Sequence, residues 1–145
     1  MSRNTTVIEA TAQQVWDVLS DGWLYPLWVV GASRMRDVDD GWPSRGAQLH
    51  HSVGAWPLLI DDTTESLECE PLRRLVVRAR GWPMGEAQVS LDLRPVGAGQ
   101  TEVVIEEQAV SGPGALVPKL LQDPPLAWRN VETLRRLRLL VENRT

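Results

Sequence analysis

The chain has no phenylalanine, and only one tyrosine (Tyr25), one cysteine (Cys69), one lysine (Lys119) and two histidines (His50 and His51) in 145 residues. A lone cysteine makes no intrachain disulfide and fits a reducing compartment, so a cytoplasmic location is expected. Cys69 has no local sign of activation and reads as a small buried apolar residue. No Cys/His set has ligand spacing, and the adjacent Asp61 and Asp62 point to opposite faces of a strand, so no metal site is expected. No apolar run reaches the roughly 18 residues of a spanning helix, and no membrane insertion is expected. Met1 to Thr6 lead directly into a strand-like run, without a signal-peptide pattern. The net charge of −4 disfavours a nucleic-acid backbone as partner. The local Arg135, Arg136 and Arg138 cluster reads as a solvated helix face that complements the helix dipole. No Gly-rich phosphate loop opens a helix and no Gly-x-Ser-x-Gly elbow is present, so no cofactor is expected.

The aromatic content lies instead in seven tryptophans, three of which precede proline: Trp42-Pro43, Trp56-Pro57 and Trp82-Pro83. Proline fixes its own φ and moves the preceding residue away from helix, so these rings belong to turns. Rings on loops suit recognition of something apolar; they also suit closure of the rim of a small core. The size predicts one domain, 1–145, with a sizeable core.

Thr5 to Ala10 reads as a first strand, rich in β-branched residues. Thr11 and Gln14 have capping-box spacing ahead of a helix whose apolar side is Val15, Trp16, Val18 and Leu19, and Ser20-Asp21-Gly22 ends it. Leu24 to Val30 is a second short apolar element, partly helical. Six strand-like runs follow, at about 32–39, 47–53, 58–69, 73–80, 86–94 and 101–110, separated by turn signals too short for parallel crossovers. A Gly/Pro-rich stretch, 111–125, predicts a flexible or partly helical lid. Asp123 caps a last helix with Pro124 at its first position, running to about Glu142. Ala127, Val131, Leu134, Leu137 and Val141 form its predicted apolar stripe, with Asn130 inside it. One long helix and one large sheet must cover each other's apolar sides. The expected class is therefore α+β, a curved seven-stranded antiparallel sheet around the C-terminal helix, with two short helices after strand one.

Alternation places polar residues on the inner face. Val103 and Ile105 bring Glu107 with them; Leu49 and Val53 bring His51. A bulge would exchange His51 for His50. A buried carboxylate or imidazole needs a partner, so His51 and Glu107 are candidates for a proton-transfer pair or for polar anchors, while strand-end solvation or backbone bonding would also satisfy them. In an antiparallel meander alternate loops share one end. Trp56, Trp82, Tyr25, Trp28, the 111–125 stretch and Trp128 should gather there, with Trp42 at the far end. Tyr25, Trp28, Trp56, Trp82, Trp128, Asn130 and Leu134 are the candidate ligand contacts.

Ile8-Glu9-Ala10 with Val15 to Asp21, Tyr25 through Gly31, Glu68-Cys69-Glu70-Pro71 with Arg74-Leu75, and Val104 through Glu107 resemble the START-like (SRPBCC) superfamily, the helix-grip or Bet v 1-like fold, and most of all its bacterial polyketide cyclase/dehydrase-type members. The resemblance covers nearly the whole chain and is specific for fold. It implies a single START-like domain, monomeric or a weak homodimer, holding an apolar small molecule between sheet and helix. A polyketide aromatase/cyclase, performing aldol closure and dehydration on a poly-β-ketone, is the alternative it implies. An interaction domain with a collapsed cavity is the third.

Overall fold

The computed structural model describes residues 2–30, 32–53, 60–81, 85–111 and 119–144, with backbone alone at 33, 53, 60, 80, 81, 85, 111 and 119–127. The elements are β1 (Ser2–Ile8), α1 (Ala12–Leu19), a 3-10 turn (Gly22–Leu24), α2 (Tyr25–Trp28), β2 (Ala32–Val38), β3 (Gln48–Val53), β4 (Ile60–Glu70), β5 (Arg74–Gly81), β6 (Gly85–Gly97), β7 (Gln100–Ser111) and α3 (Lys119–Arg144). The strands form one antiparallel sheet in the order β1-β7-β6-β5-β4-β3-β2. The expected seven-stranded helix-grip architecture is present.

Local chemistry explains the start of the chain. The Thr11 amide donates to Gln14 Oε1 at 2.8 Å and the Gln14 amide to Thr11 Oγ1 at 3.2 Å, so the capping box is closed. The helix then buries Val15, Trp16, Val18 and Leu19. Asp21 takes the Trp23 amide at 3.1 Å and starts the 3-10 turn. Gly22 is required there by close approach: a Cβ on it would stand 2.5 Å from Leu49 Cδ2 and 2.8 Å from Val38 Cγ1. This contact seats the connection against β2 and β3 and thereby aims α2 across the sheet.

Two boundaries and one helical phase differ from the sequence expectation. β1 begins at Ser2 because it pairs along its whole length with β7, from Ser2 opposite Glu107 to Ile8 opposite Thr101. Helix α3 begins at Lys119, five residues before Pro124, so both prolines lie inside it. The buried stripe of α3 is also rotated. Asn130, Thr133, Leu134, Leu137 and Val141 are buried, whereas Val131 is 55% exposed. Val131 stands about 100° around the helix from Asn130, which is enough to leave the seam.

Leu137 and Val141 pack with Ile8, Val15, Leu19, Leu91, Leu93 and Val103 in the apolar core. Glu142 Oε2 accepts from the Glu9 amide at 2.9 Å and ties the last turns of α3 to the end of β1. The outer sheet face is not wholly wet either. Val76 and Ser90 face each other across β5 and β6 and are both buried, flanked by Arg74 with Asp92 at 2.7 Å. At the β2 edge the ladder shifts register twice, between Ala32 and Arg34 and between Met35 and Asp37.

The rotated stripe is testable by urea denaturation. Leu137→Ala, at a position with no exposure, should cost about 3 kcal/mol through lost transfer energy and a residual cavity. Val131→Ala should stay within about 0.5 kcal/mol, as a surface change does.

Candidate functional site

The strand pairings sort the interior into two halves. Val53 opposite Ile60, Gly81 opposite Gly85, and Ser111 opposite Glu86 mark one end of the sheet. Near that end the inward positions become polar. His51 and Thr64 lie on neighbouring strands, Thr64 opposite Leu49 and His51 opposite Asp62. Glu107 follows Val103 and Ile105 on β7. Asn130 and Thr133 lie on the N-terminal side of Leu134, Leu137 and Val141 along α3. Tyr25, Trp28, His51, Thr64, Glu107, Asn130, Thr133 and Leu134 are all buried.

Their contacts form two groups. Thr64 Oγ1 stands 2.7 Å from His51 Nε2 and 3.3 Å from the Tyr25 hydroxyl. The rings of Tyr25 and His51 stack at 5.5 Å, and Trp28 meets Tyr25 edge-on at 5.4 Å. Separately, Glu107 is ion-paired with Arg129 of α3. The Val30 amide donates to Thr133 Oγ1 at 3.3 Å, tying the end of α2 to the same helix.

Burial governs the titration here. It pushes the Tyr25 phenol above its ordinary range, against the lowering effect of its bond to Thr64; Glu107 adds to the rise and Arg129 opposes it. Burial likewise holds the His51 imidazole below its ordinary value, with Asp62 opposing and Arg36 and His50 assisting. His51 is therefore neutral near pH 7. His50 turns the other way and bonds Asp39 Oδ1 at 2.9 Å, and that bond, with the Gln48 amide, lowers the Asp39 carboxyl.

Among the described residues, three buried nitrogens in this region have no hydrogen-bond partner: Trp28 Nε1, His51 Nδ1 and Asn130 Nδ2. Trp42 Nε1 is also unpartnered, but Trp42 packs into the core beside the β2–β3 connection, where Ser66 Oγ bonds the Pro43 carbonyl. One orphaned indole is thus not a site; three polar groups gathered in one half of the interior are a candidate.

Of the residues expected from sequence, Tyr25, Trp28, His51, Glu107, Asn130 and Leu134 are brought to this interior. His51 and Glu107 are not bonded to each other: His51 is held by Thr64, and Glu107 by Arg129. Trp128 is a correction. It is 69% exposed, on the solvent side of α3: connectivity brings the start of the helix to this end of the sheet, but a position two residues from the buried Asn130 stands about 200° around the helix from it. Trp56 and Trp82 lie outside the described residues, as does 112–118 of the expected lid, while 119–125 is helical. Thr64 and Arg129 escaped the sequence reading. Thr64 sits in the polar run Asp61 to Ser66, where alternation is silent, and only pairing with Leu49 reveals its face. Arg129 had no sequence signal either, because its place beside the seam follows only from the observed burial of Thr133, four residues on.

The sequence profile for polyketide cyclase/dehydrase and lipid transport proteins matches residues 2–142. The chain belongs to that family. Its fold is shared by the Zhui aromatase/cyclase from Streptomyces sp. R1128, with 19% identity, a TM-score of 0.70, and coverage of 98% of this chain and 93% of that one. The same holds for a conserved protein from Geobacillus kaustophilus, at 14% identity, TM-score 0.74, and 97% and 94% coverage. The di-domain ARO/CYC StfQ of the steffimycin biosynthetic pathway matches at 14% identity and TM-score 0.72, over 99% of this chain and 45% of StfQ. These identities speak to fold alone. No curated protein sequence matches. As elsewhere among the described residues, no helix is long and apolar enough to cross a membrane.

The lowered His51 value has a signed consequence. Below about pH 6.5 the unfolded chain takes up a proton that the folded chain resists, so stability is full above that pH and falls as pH drops toward the lower folded value. Urea midpoints should decline from pH 7.5 to 5.5, and His51→Gln should flatten that decline. An equal decline in both proteins would assign it to other groups.

Proposed function

We propose that the chain binds a hydrophobic or aromatic small molecule between the sheet and α3, in the half of the interior lined by Tyr25, Trp28, His51, Asn130 and Leu134. The observation that carries this reading is the set of three buried, unpartnered nitrogens on Trp28, His51 and Asn130. A buried polar group left unpaired costs about 1–3 kcal/mol, and a ligand oxygen between sheet and helix returns that energy. The aromatic faces of Tyr25 and Trp28 supply apolar area beside it. Trp56 and Trp82, from the connections that follow β3 and β5, are proposed as rim contacts.

A second reading, an aromatase/cyclase acting on a poly-β-ketone-like substrate, has one observation in its favour. Tyr25, Thr64 and His51 form a chain of proton-bearing groups with the Glu107–Arg129 pair nearby. Aldol closure requires a proton taken from a carbon next to a carbonyl, a proton given to the other carbonyl oxygen, and then loss of water. Buried hydroxyl, imidazole and carboxylate groups are suited to such transfers. Zhui and StfQ are named for aromatase/cyclase activity, which supports the reading by likeness of fold.

Binding is tested by tryptophan fluorescence titration with 9-fluorenone, an apolar tricycle carrying one acceptor oxygen, beside the oxygen-free fluorene. Fluorenone should quench and bind more tightly. Asn130→Leu should reduce that preference by about tenfold, the value of one hydrogen bond. Trp56→Ala or Trp82→Ala should weaken binding of both compounds by about 2 kcal/mol. Absence of any quenching, with no small molecule retained in native mass spectrometry of protein from its source, would instead indicate an interaction domain with a collapsed cavity.

A further inference from the structure

Thr64 is fully buried and its single hydroxyl proton lies between two other groups, the Tyr25 phenol and His51 Nε2. Neither partner has a second side-chain hydrogen bond among the described residues, and His51 Nδ1 has none. Three proton arrangements follow. In the first, the phenol donates to Thr64, Thr64 donates to Nε2, and the imidazole proton sits on Nδ1; one group, Nδ1–H, is unmet. In the second, Nε2–H donates to Thr64 and Thr64 to the phenol oxygen; the phenol proton then has no acceptor and Nδ1 is bare, so two groups are unmet. In the third, phenol and Nε2–H both donate to Thr64; its own proton is unmet and Nδ1 is bare. Each buried unmet group carries a penalty, which selects the first arrangement.

We propose that Thr64 is a positioning residue that directs the hydrogen-bond chain from Tyr25 to His51 and thereby fixes His51 as the Nδ1–H tautomer, a donor rather than a base at its unbonded nitrogen. The tautomer is a property of the protein without ligand; only the further statement that Nδ1–H faces a ligand oxygen rests on the binding function proposed above. Burial supports the arrangement by keeping both the phenol and the imidazole neutral. The charged or titratable groups bearing on them are His50, adjacent to His51 on β3, Asp62 on β4, Arg36 on β2, Glu107 on β7 and Arg129 on α3. None of these is hydrogen-bonded to the His51 ring. The direction of the chain is therefore set by the Tyr25 hydroxyl through Thr64. With its proton on Nδ1, His51 joins Trp28 Nε1 and Asn130 Nδ2 as a third N–H donor, so the site favours ligands that offer acceptor oxygens.

Only two histidines are present, so 15N-histidine labelling with two-bond 1H–15N correlation resolves each ring. At pH 7.5, without ligand, His51 should show a protonated Nδ1 and a bare Nε2, with about tenfold or greater preference, the weight of one buried unmet group. Thr64→Val, which keeps the shape and removes the hydroxyl, should bring the two tautomers to comparable populations, and Thr64→Ser should restore the preference. Tyr25→Phe should also erode it, although Tyr25 never bonds the imidazole directly; a merely structural Thr64 would not transmit that change. An Nε2–H tautomer in the parent protein, or an unchanged Nδ1–H preference in both Thr64→Val and Tyr25→Phe, overturns the proposal. Should Thr64→Val unfold, the Tyr25→Phe and Thr64→Ser comparisons decide it. The fluorenone titration fails or succeeds independently, so loss of binding with the tautomer intact would refute the binding function alone.

Discussion

The seating of α3 against the concave face of a sheet built almost entirely from local hairpins is the contact on which the other features depend. Each strand finds its neighbour with a short connection, except β1, which must wait for β7 at the other end of the sequence. A single helix stripe then has to cover the whole inner face. Leu137 and Val141 do this with apolar packing at one end, and the bond from the Glu9 amide to Glu142 fixes the helix there. Anchored at that end, the helix carries Arg129, Asn130 and Thr133 over the other half of the sheet.

That geometry separates two tasks that usually compete. Close-packed apolar side chains give stability and leave no room; polar side chains in a buried site cost stability unless paired. Here the apolar residues are concentrated toward the C-terminal half of α3, while Tyr25, His51, Thr64, Glu107 and Asn130 lie toward its N-terminal half. Short α2, aimed by the close approach at Gly22 and tied to Thr133, delivers Tyr25 and Trp28 to the polar half. The Glu107–Arg129 pair joins strand to helix by charge in the place where apolar packing gives out.

Much of this was legible in the residues. β-branched content, turn chemistry and alternation pointed to all seven strands, the capping box to α1, inward alternation to His51 and Glu107, and the helical stripe to Asn130. The failures have physical causes. A helical phase read from Val131 is wrong by a fraction of a turn because Thr133, a polar residue, occupies the seam that Val131 was expected to fill. Trp128 was misplaced for another reason: connectivity locates the start of a helix and carries no information on which face a side chain takes. Thr64 was invisible because six consecutive polar residues carry no period, and its role depends on register with β3, which is a property of two strands. The pairing of Glu107 with Arg129 instead of His51 is likewise a tertiary fact, set by where a helix lies.

The two register shifts in β2 bear on a different matter, the fate of the sheet's margins. An open sheet has two outer strands, and a regular outer strand is a template on which a further chain can add. At β2 the ladder is broken twice and its exposed residues are Arg34, Arg36 and Asp37, so an incoming strand meets a bent backbone and charge. At β1 the pairing runs unbroken from Ser2 to Ile8, and of the exposed residues Arg3, Thr5 and Val7 only Arg3 is charged, its guanidinium paired within the sheet to Glu106. Backbone-mediated association, whether an ordered dimer or the first step of aggregation, is thereby steered to the N-terminal strand and away from the margin beside β3, which carries His51.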